Sequence, residues 1–470
     1  MDIPLRHQRL LLAAVVCGLL LAMLDQTIVG TALPAIVGDL DGSSLYMWAV
    51  AAYLVPATVS LPVYARLSDR HGRRTMLLVG MGLFLAGSVL SASAQDMGQF
   101  IAWRAVQGLG AGALEGLPFI LVADLYAGRR SASLQAALAG LMGFAFILGP
   151  LLGGVITDGP GWRWAFMVNV PIGLAALVVV ARFLPPSLGR YEGREVPVDI
   201  AGIALLTAGV GLVLVGLDQR TVAPMIAGAA VLAAFAAVER RSAAPVVPVR
   251  LLADRSVAAM LVAGATATSG LYAGVLLLPR YLEGARHVSA TRSGLLIYPL
   301  LLGLVLATTL AASAINRWQQ WRLPVLCGTG LAALGALGFG TFDAGTPVWQ
   351  GLVFMALIGF GVGPALSGLQ IALQRSVVPT AVAGALSTLI LVRQVGGAIA
   401  LAAADTVYTT STGAGSPAAT ATGAGVLVVT LTGASLAAGA LGLLPRGSGR
   451  LPSPSPATPP SAVTAGQPRH

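Results

Sequence analysis

Charges and Gly/Pro-rich breaks cut this chain into fourteen apolar runs, and the length of those runs limits the fold more than any other feature. They cover residues 10–36, 46–65, 75–95, 98–123, 132–157, 164–184, 199–217, 222–238, 256–278, 293–315, 323–341, 347–371, 381–404 and 423–445. A hydrocarbon core about 30 Å thick is crossed by roughly 20 helical residues. Each run therefore predicts one membrane-spanning helix. A transmembrane barrel would alternate apolar and polar residues along each strand, whereas these runs are continuous. Composition agrees: 56% of the residues are hydrophobic and 10% charged, against roughly 25% charged in an ordinary soluble domain. The predicted class is an all-α integral membrane protein. The run 222–238 is short and alanine-rich, so thirteen spans is the alternative. The first run is too long for a signal peptide and contains Asp25, which makes it a retained span.

Sidedness follows from arginine, because the chain has no lysine and all 28 basic residues are arginine. With the N-terminus inside, 21 of them fall in inner segments and five in outer loops (Arg163, Arg220, Arg280, Arg286, Arg292). The last two, Arg104 and Arg393, fall within runs. Positive charge collects on the cytoplasmic side, which predicts a multi-pass protein of the inner (plasma) membrane with both termini in the cytoplasm. The net charge of +10 then reflects topology and the anionic inner leaflet rather than nucleic-acid binding. Cys17 and Cys327 lie in apolar runs and read as packing side chains. The histidines (His7, His71, His287, His470) all fall in loops or tails, so no metal site is expected. No GxxxxGK[ST] phosphate loop is present, which argues against ATP as the energy source.

Six runs precede the polar connection "RFLPPSLGRYEGREVPVD", two follow it, and six more come after "VERRSAAPVVPVRLLADRS". The expected organisation is a six-helix bundle over 1–184, an inserted helix pair with cytoplasmic linkers over 185–255, and a second six-helix bundle over 256–445. The Pro/Ser/Ala-rich tail 446–470 is expected to be disordered. A faint repeat joins the bundles: "ARLSDRHGRRTML" (65–77) and "INRWQQWRLPV" (315–325) are arginine-bearing turns at equivalent places. Repeats of this kind typify secondary transporters, whose substrates bind between the halves near the midplane.

Six stretches carry a resemblance. "ARLSDRHGRR" resembles the loop 2–3 signature of the major facilitator superfamily through Asp69, Arg70, Gly72, Arg73 and Arg74, with Ala65 where a glycine is usual. "WRAVQGLGAG" (103–112) resembles its span 4 signature through Arg104, Gln107, Gly108 and Gly112. "GFAFILGPLLGG" (143–154) resembles the span 5 signature associated with antiporters, through Gly143, Gly149, Pro150, Gly153 and Gly154. "LDQTIVGTALP" (24–34), "GWRWAFMVNVPIG" (161–173) and "LPRYLEGARHVSATRSGLLIYP" (278–299) narrow it to the fourteen-span drug:proton antiporter branch. The resemblance implies the major facilitator fold and multidrug efflux.

Elementary physics gives these motifs work to do. A helix C-terminus attracts cations and the following N-terminus attracts anions. Asp69 beside Arg70, Arg73 and Arg74 can therefore latch helix ends in one conformation and release them in another; a purely topogenic cluster is the alternative. Glycines in the fifth run let helices approach closely, either to seal one side of a pathway or simply to pack.

A charge at the bilayer centre costs roughly 2.5–3.5 kcal/mol on insertion scales, so embedded charges are usually functional. Four lie well inside runs: Asp25, Arg104, Glu115 and Arg393. At about 1.5 Å of rise per residue, Asp25 and Arg104 reach one level. A carboxyl between a guanidinium and an apolar wall can exchange a proton as its surroundings change; a static ion pair is the alternative. Glu115 follows Arg104 by eleven positions, about three helical turns, so the two share a face. It is the second proton-carrier candidate, unless it is an interfacial acid. Gln107, Arg393 and Gln394 are candidates for the substrate cavity, with a structural interhelix bond as the alternative for Arg393. Asp39, Asp41, Asp96, Glu283 and Asp343 are expected in solvated turns.

The expectation is a non-enzymatic secondary transporter, without cofactor and driven by the proton gradient. It would export small amphipathic or cationic compounds, acting as a monomer with proton coupling at Asp25, Arg104 and Glu115. A narrow-specificity exporter, an inward proton symporter, and a non-transporting membrane sensor or scaffold remain as alternatives.

Overall fold

Continuous apolar sequence leaves the backbone no hydrogen-bonding partner but itself in lipid, and helix is the local solution. The computed structural model describes residues 4–42, 45–126, 128–186, 188, 199–242, 252–377, 382–413 and 415–445. The tail at 446–470 and the centres of both linkers lie outside them. Seventeen helices are present among the described residues: α1 Leu5–Asp39, α2 Tyr46–His71, α3 Arg73–Ala92, α4 Met97–Leu125, α5 Gly128–Asp158, α6 Arg163–Met167, α7 Asn169–Phe183, α8 Ile200–Asp218, α9 Val222–Arg241, α10 Arg255–Ala267, α11 Ser269–Gly284, α12 Ala290–Leu296, α13 Tyr298–Trp318, α14 Arg322–Phe339, α15 Val348–Ser376, α16 Val382–Gly413 and α17 Ala418–Gly442. Three spans are interrupted (α6/α7, α10/α11 and α12/α13), so these make fourteen helices long and apolar enough to cross a membrane. The alanine-rich run at 222–238 is one of them, as Val222–Arg241.

One boundary differs from the sequence reading in a way that matters. The thirteenth run was expected to stop at 404, yet α16 continues to Gly413. Its threonines bond back to carbonyls one turn earlier, Thr406 to Ala402 (2.8 Å), Thr409 to Asp405 (2.8 Å) and Thr410 to Thr406 (2.7 Å). Hydroxyls satisfied within the helix let a polar stretch remain helical. Asp405 is thereby drawn inside a span.

Small residues set the packing. In α4, Gly108 faces the carbonyl of Tyr53 on α2, Gly110 faces Phe84 on α3, and Gly112 faces Ser60 and Ala57 on α2; any Cβ there would come within about 2.5 Å of them. In α15 the same spacing returns, with Gly359 against Leu300 and Gly363 against Leu304, both on α13, and Gly361 against Ala332 on α14. This Gly-x-Gly-x-Gly pair expresses the repeat more clearly than the arginine-bearing turns do. The pair α8/α9 packs on itself and rests against α2 and α16, touching both halves.

Candidate functional site

Asp25 lies in the middle of α1 and is 1% exposed. Gln107 follows Arg104 by one turn of α4, so both side chains reach the same neighbour. Arg104 Nη1 donates to Asp25 Oδ2 and to Gln107 Oε1 (2.8 Å), and Gln107 Nε2 donates to Asp25 Oδ1 (2.8 Å). A third donor comes from the interruption between α6 and α7. Pro171 has no N–H to offer the carbonyl of Met167, and the helix breaks there. Asn169 at the break sends Nδ2 to Asp25 Oδ1 (3.1 Å) and to Ser88 Oγ (2.9 Å), while Ser88 donates to the carbonyl of Phe166 (2.9 Å).

The Arg104 guanidinium lies 4.1 Å from the centre of the Tyr53 ring and 5.6 Å from that of Phe166. Tyr53 is fixed in turn by donating its hydroxyl to the carbonyl of Ala22 (3.0 Å). The carboxylate thus has three donors, and its counter-ion is held by aromatic faces. A buried pair of this kind costs about 3–5 kcal/mol to break from one side. Release of the Asp25 carboxylate therefore needs a conformation in which this donor set loosens.

Glu115 is 5% exposed, and no ion pair reaches it among the described residues. Gln394 on α16 bridges to it from the other half: its Oε1 accepts the Thr58 hydroxyl and its amide reaches Glu115. Glu115 Oε1 has no hydrogen-bond partner. A buried carboxyl in this setting needs either a proton or a cation.

A cavity lies between the halves, with an empty volume of about 730 Å³ including its mouth. Gln26, Tyr53 and Arg104 line it from the first half, and Leu271, Tyr272 and Val275 from the second. Two of the expected cavity residues are otherwise engaged. Gln107 is fully buried in the Asp25 network, because the pull of the carboxylate turns its amide inward. Arg393 Nη2 donates to the carbonyls of Ala365 and Leu366 (3.0 Å each), which makes it an interhelix bond to α15.

The loop at Asp69 is a tight knot. Arg73 is buried and pairs with Asp69 and with Asp124 of α4 (2.9 Å), and it also donates to Ser68. Arg74 donates to the carbonyl of Ala181. Gly72 has φ +87°, and a Cβ there would stand 2.7 Å from the carbonyl oxygen of Pro186. Arg70 is exposed. The side-chain partners of Arg73 and Arg74 all belong to α2, α4 and α7, and the Arg73 N–H donates to the carbonyl of Leu188 in the following linker (3.1 Å), so in this conformation the knot ties the first half to itself and to the start of that linker.

At the opposite end the two halves meet through α5. Gly149 and Gly153 sit against Thr27 and Thr31 of α1, Gly154 sits against Thr291, and the carbonyl of Pro150 meets Gly294 of α12. Gly143 faces open space. The Asp158 carboxylate then accepts the backbone N–H groups of Ala290 (3.0 Å) and Thr291 (2.8 Å). Tyr46 of α2 donates to the carbonyl of Leu276 on α11 (3.3 Å).

Several functional groups escaped the sequence reading. Arg280, assigned there to an outer loop, lies in α11 and pairs with Asp405, its guanidinium between the rings of Tyr46 (4.5 Å) and Tyr408 (4.4 Å). Glu283 is in the last turn of α11 rather than in a solvated loop, with Oε1 buried. Asp124 carried no signal except polarity beside an apolar run, and Asn169 fell inside the 161–173 motif without being singled out. Asp96 caps α4 (2.8 Å to Gln99 N), and Asp39 pairs with Arg163 (2.7 Å). Asp343 does lie in an exposed turn, where the Thr346 hydroxyl holds its carboxyl below the usual range.

Comparison with known proteins agrees with this fold. Residues 15–401 match the family profile described as Major Facilitator Superfamily. The chain is 30% identical over 414 residues to Multidrug transporter protein MdtP of Bacillus subtilis (strain 168), covering 86% of this chain and 76% of that one. It is also 30% identical over 408 residues to Multidrug resistance protein 3 of the same organism, covering 83% and 78%. Efflux pump FUS6 of Gibberella fujikuroi (strain CBS 195.34 / IMI 58289 / NRRL A-6831) is 29% identical over 370 residues, covering 75% and 66%. Among solved structures, a bacterial homolog of the human lysosomal transporter Spinster, in an inward-facing and unoccupied conformation, superposes with a TM-score of 0.64. It is 12% identical and covers 93% of this chain and 96% of that one, a likeness of fold alone.

Proposed function

The chain belongs to the Major Facilitator Superfamily, and on that premise we propose that it exports small amphipathic compounds across the plasma membrane in exchange for protons. The observation that carries this reading is the position of Arg104, which lines the cavity between the halves while holding the buried Asp25 carboxylate. A proton arriving at Asp25 removes the charge that Arg104 answers. The guanidinium is then free to shift along the Tyr53 ring, and the cavity wall changes with it.

Glu115 supplies the second exchangeable site. Its hydrogen bond to Gln394 passes directly from one half to the other, so a change of charge at Glu115 alters the force between bundles. The arginine bias supports placing the Asp69 knot and both termini in the cytoplasm. In that orientation the Asp158 contacts with Ala290 and Thr291 hold the outer side closed. Proton entry from outside, rocking of 1–184 against 256–445, and release outward complete the cycle. The pair within 185–255 rides on both bundles, and the single chain is the working unit.

The test is pH in everted membrane vesicles. Adding a transported compound to energised vesicles is expected to drive protons out of the lumen, read as recovery of a quenched acidic-lumen dye. Recovery that is absent, or movement of protons in the other direction, overturns antiport.

A further inference from the structure

We propose that the cavity recognises uncharged amphipathic compounds, held at two points by the Gln26 amide of the first bundle and the Tyr272 hydroxyl of the second. The inference rests on the export reading and narrows its substrate class.

Most polar groups in the cavity wall are already in use. Thr27 bonds to the carbonyls of Met23 (3.2 Å) and Leu24 (3.1 Å), and the Tyr53 hydroxyl to that of Ala22. Gln26 also lines the cavity and makes no hydrogen bond among the described residues. Tyr272 lines it from α11 with its ring packed on Gly397 and its hydroxyl likewise unbonded. Around them the wall is apolar, with Val29, Val50, Leu271 and Val275 among its members. A few convergent polar groups in an apolar cavity fix the orientation of a ligand.

Charge decides the class. Among the described residues Arg104 is the one ionised lining group, its charge is offset by Asp25, and the Tyr53 face that would attract a cation is already covered by that guanidinium. An anion gains little either, because Asp25 neutralises Arg104. Glu115 and Arg393 lie outside this wall and act on Tyr272 with opposite sign, so together they favour neither charge there. What remains is a neutral, largely apolar body carrying a carbonyl or hydroxyl toward each of the two free groups. Such a ligand spans the bundles, and its departure leaves both groups to water as the halves part.

Equilibrium binding to the purified full chain in detergent, followed by tryptophan fluorescence, tests this. Progesterone and chloramphenicol serve as neutral probes, and tetraphenylphosphonium as an aromatic cation without hydrogen-bonding groups. Progesterone or chloramphenicol is expected to bind more tightly than tetraphenylphosphonium. Gln26→Leu and Tyr272→Phe should each weaken the neutral ligand about 5- to 10-fold. Gln26→Glu, which keeps the size of the side chain, should reverse the order in favour of the cation and so separate recognition from folding. Tighter binding of tetraphenylphosphonium to the unmodified protein, binding of no neutral probe, or neutral binding indifferent to both substitutions overturns the inference. Because no gradient is present, these results are independent of proton coupling. Gln26-dependent binding without antiport would sink the export reading alone, and proton-coupled export of the cation alone would sink only the substrate class.

Discussion

At the scale of single residues, the chain keeps charge in the membrane by surrounding it. Asp25 accepts from Arg104, Gln107 and Asn169, and each donor lies on a helix segment positioned for that purpose. Asn169→Ala removes one donor and leaves Ser88 short of a partner. It is expected to lower stability by about 1–3 kcal/mol, measured by thermal unfolding of the purified protein. An unchanged midpoint would show that the third donor is dispensable. Part of this cluster was legible beforehand: helical rise alone brings Asp25 and Arg104 to one depth, and eleven residues carry the same face on to Glu115. Asn169 was not legible, because its role depends on a break that Pro171 makes in another helix. Asp405 escaped for a related reason, since a threonine-rich stretch reads as a helix end until its hydroxyls are seen bonding inward.

At the scale of helices, glycine positions divide into those that make contacts and those that do not. A Cβ at Gly149 would lie 1.8 Å from Thr27 Oγ1 and one at Gly153 2.3 Å from Thr31 Oγ1, whereas Gly143 in the same motif has nothing within 4 Å. Gly149→Ala and Gly153→Ala are each expected to cost about 1–3 kcal/mol through forced separation of α5 from α1. Gly143→Ala should be neutral or stabilising by up to about 1 kcal/mol through helix propensity. Thermal unfolding of the three variants gives the comparison, and equal losses at all three would contradict the packing account. The motif was visible in the sequence, but which glycine meets which neighbour depends on the azimuth of each helix. Spacing along one chain does not fix that angle.

At the scale of the whole molecule, the fold is two glycine-spaced bundles that meet through α5 and α12 at one end and through Gln394 further in, with a cavity between them. Fourteen apolar runs and their grouping were readable because lipid imposes a single period and length on every span. The contacts between bundles were not, since they join residues more than a hundred positions apart, as Asp158 joins Ala290. Asp158→Ala should free that end. A cysteine at Ala290, in a chain with Cys17 and Cys327 replaced, is then expected to react several-fold faster with an impermeant maleimide than when Asp158 is intact. Equal rates would show that the contact does not hold the halves together. The central claim is that buried carboxyls move the proton, and proteoliposomes with an imposed pH gradient test it most directly. Unmodified protein should accumulate a transported compound against its gradient, while Asp25→Asn and Glu115→Gln should retain exchange of labelled for unlabelled compound and lose pH-driven accumulation. Full pH-driven accumulation by the doubly substituted protein would contradict the account.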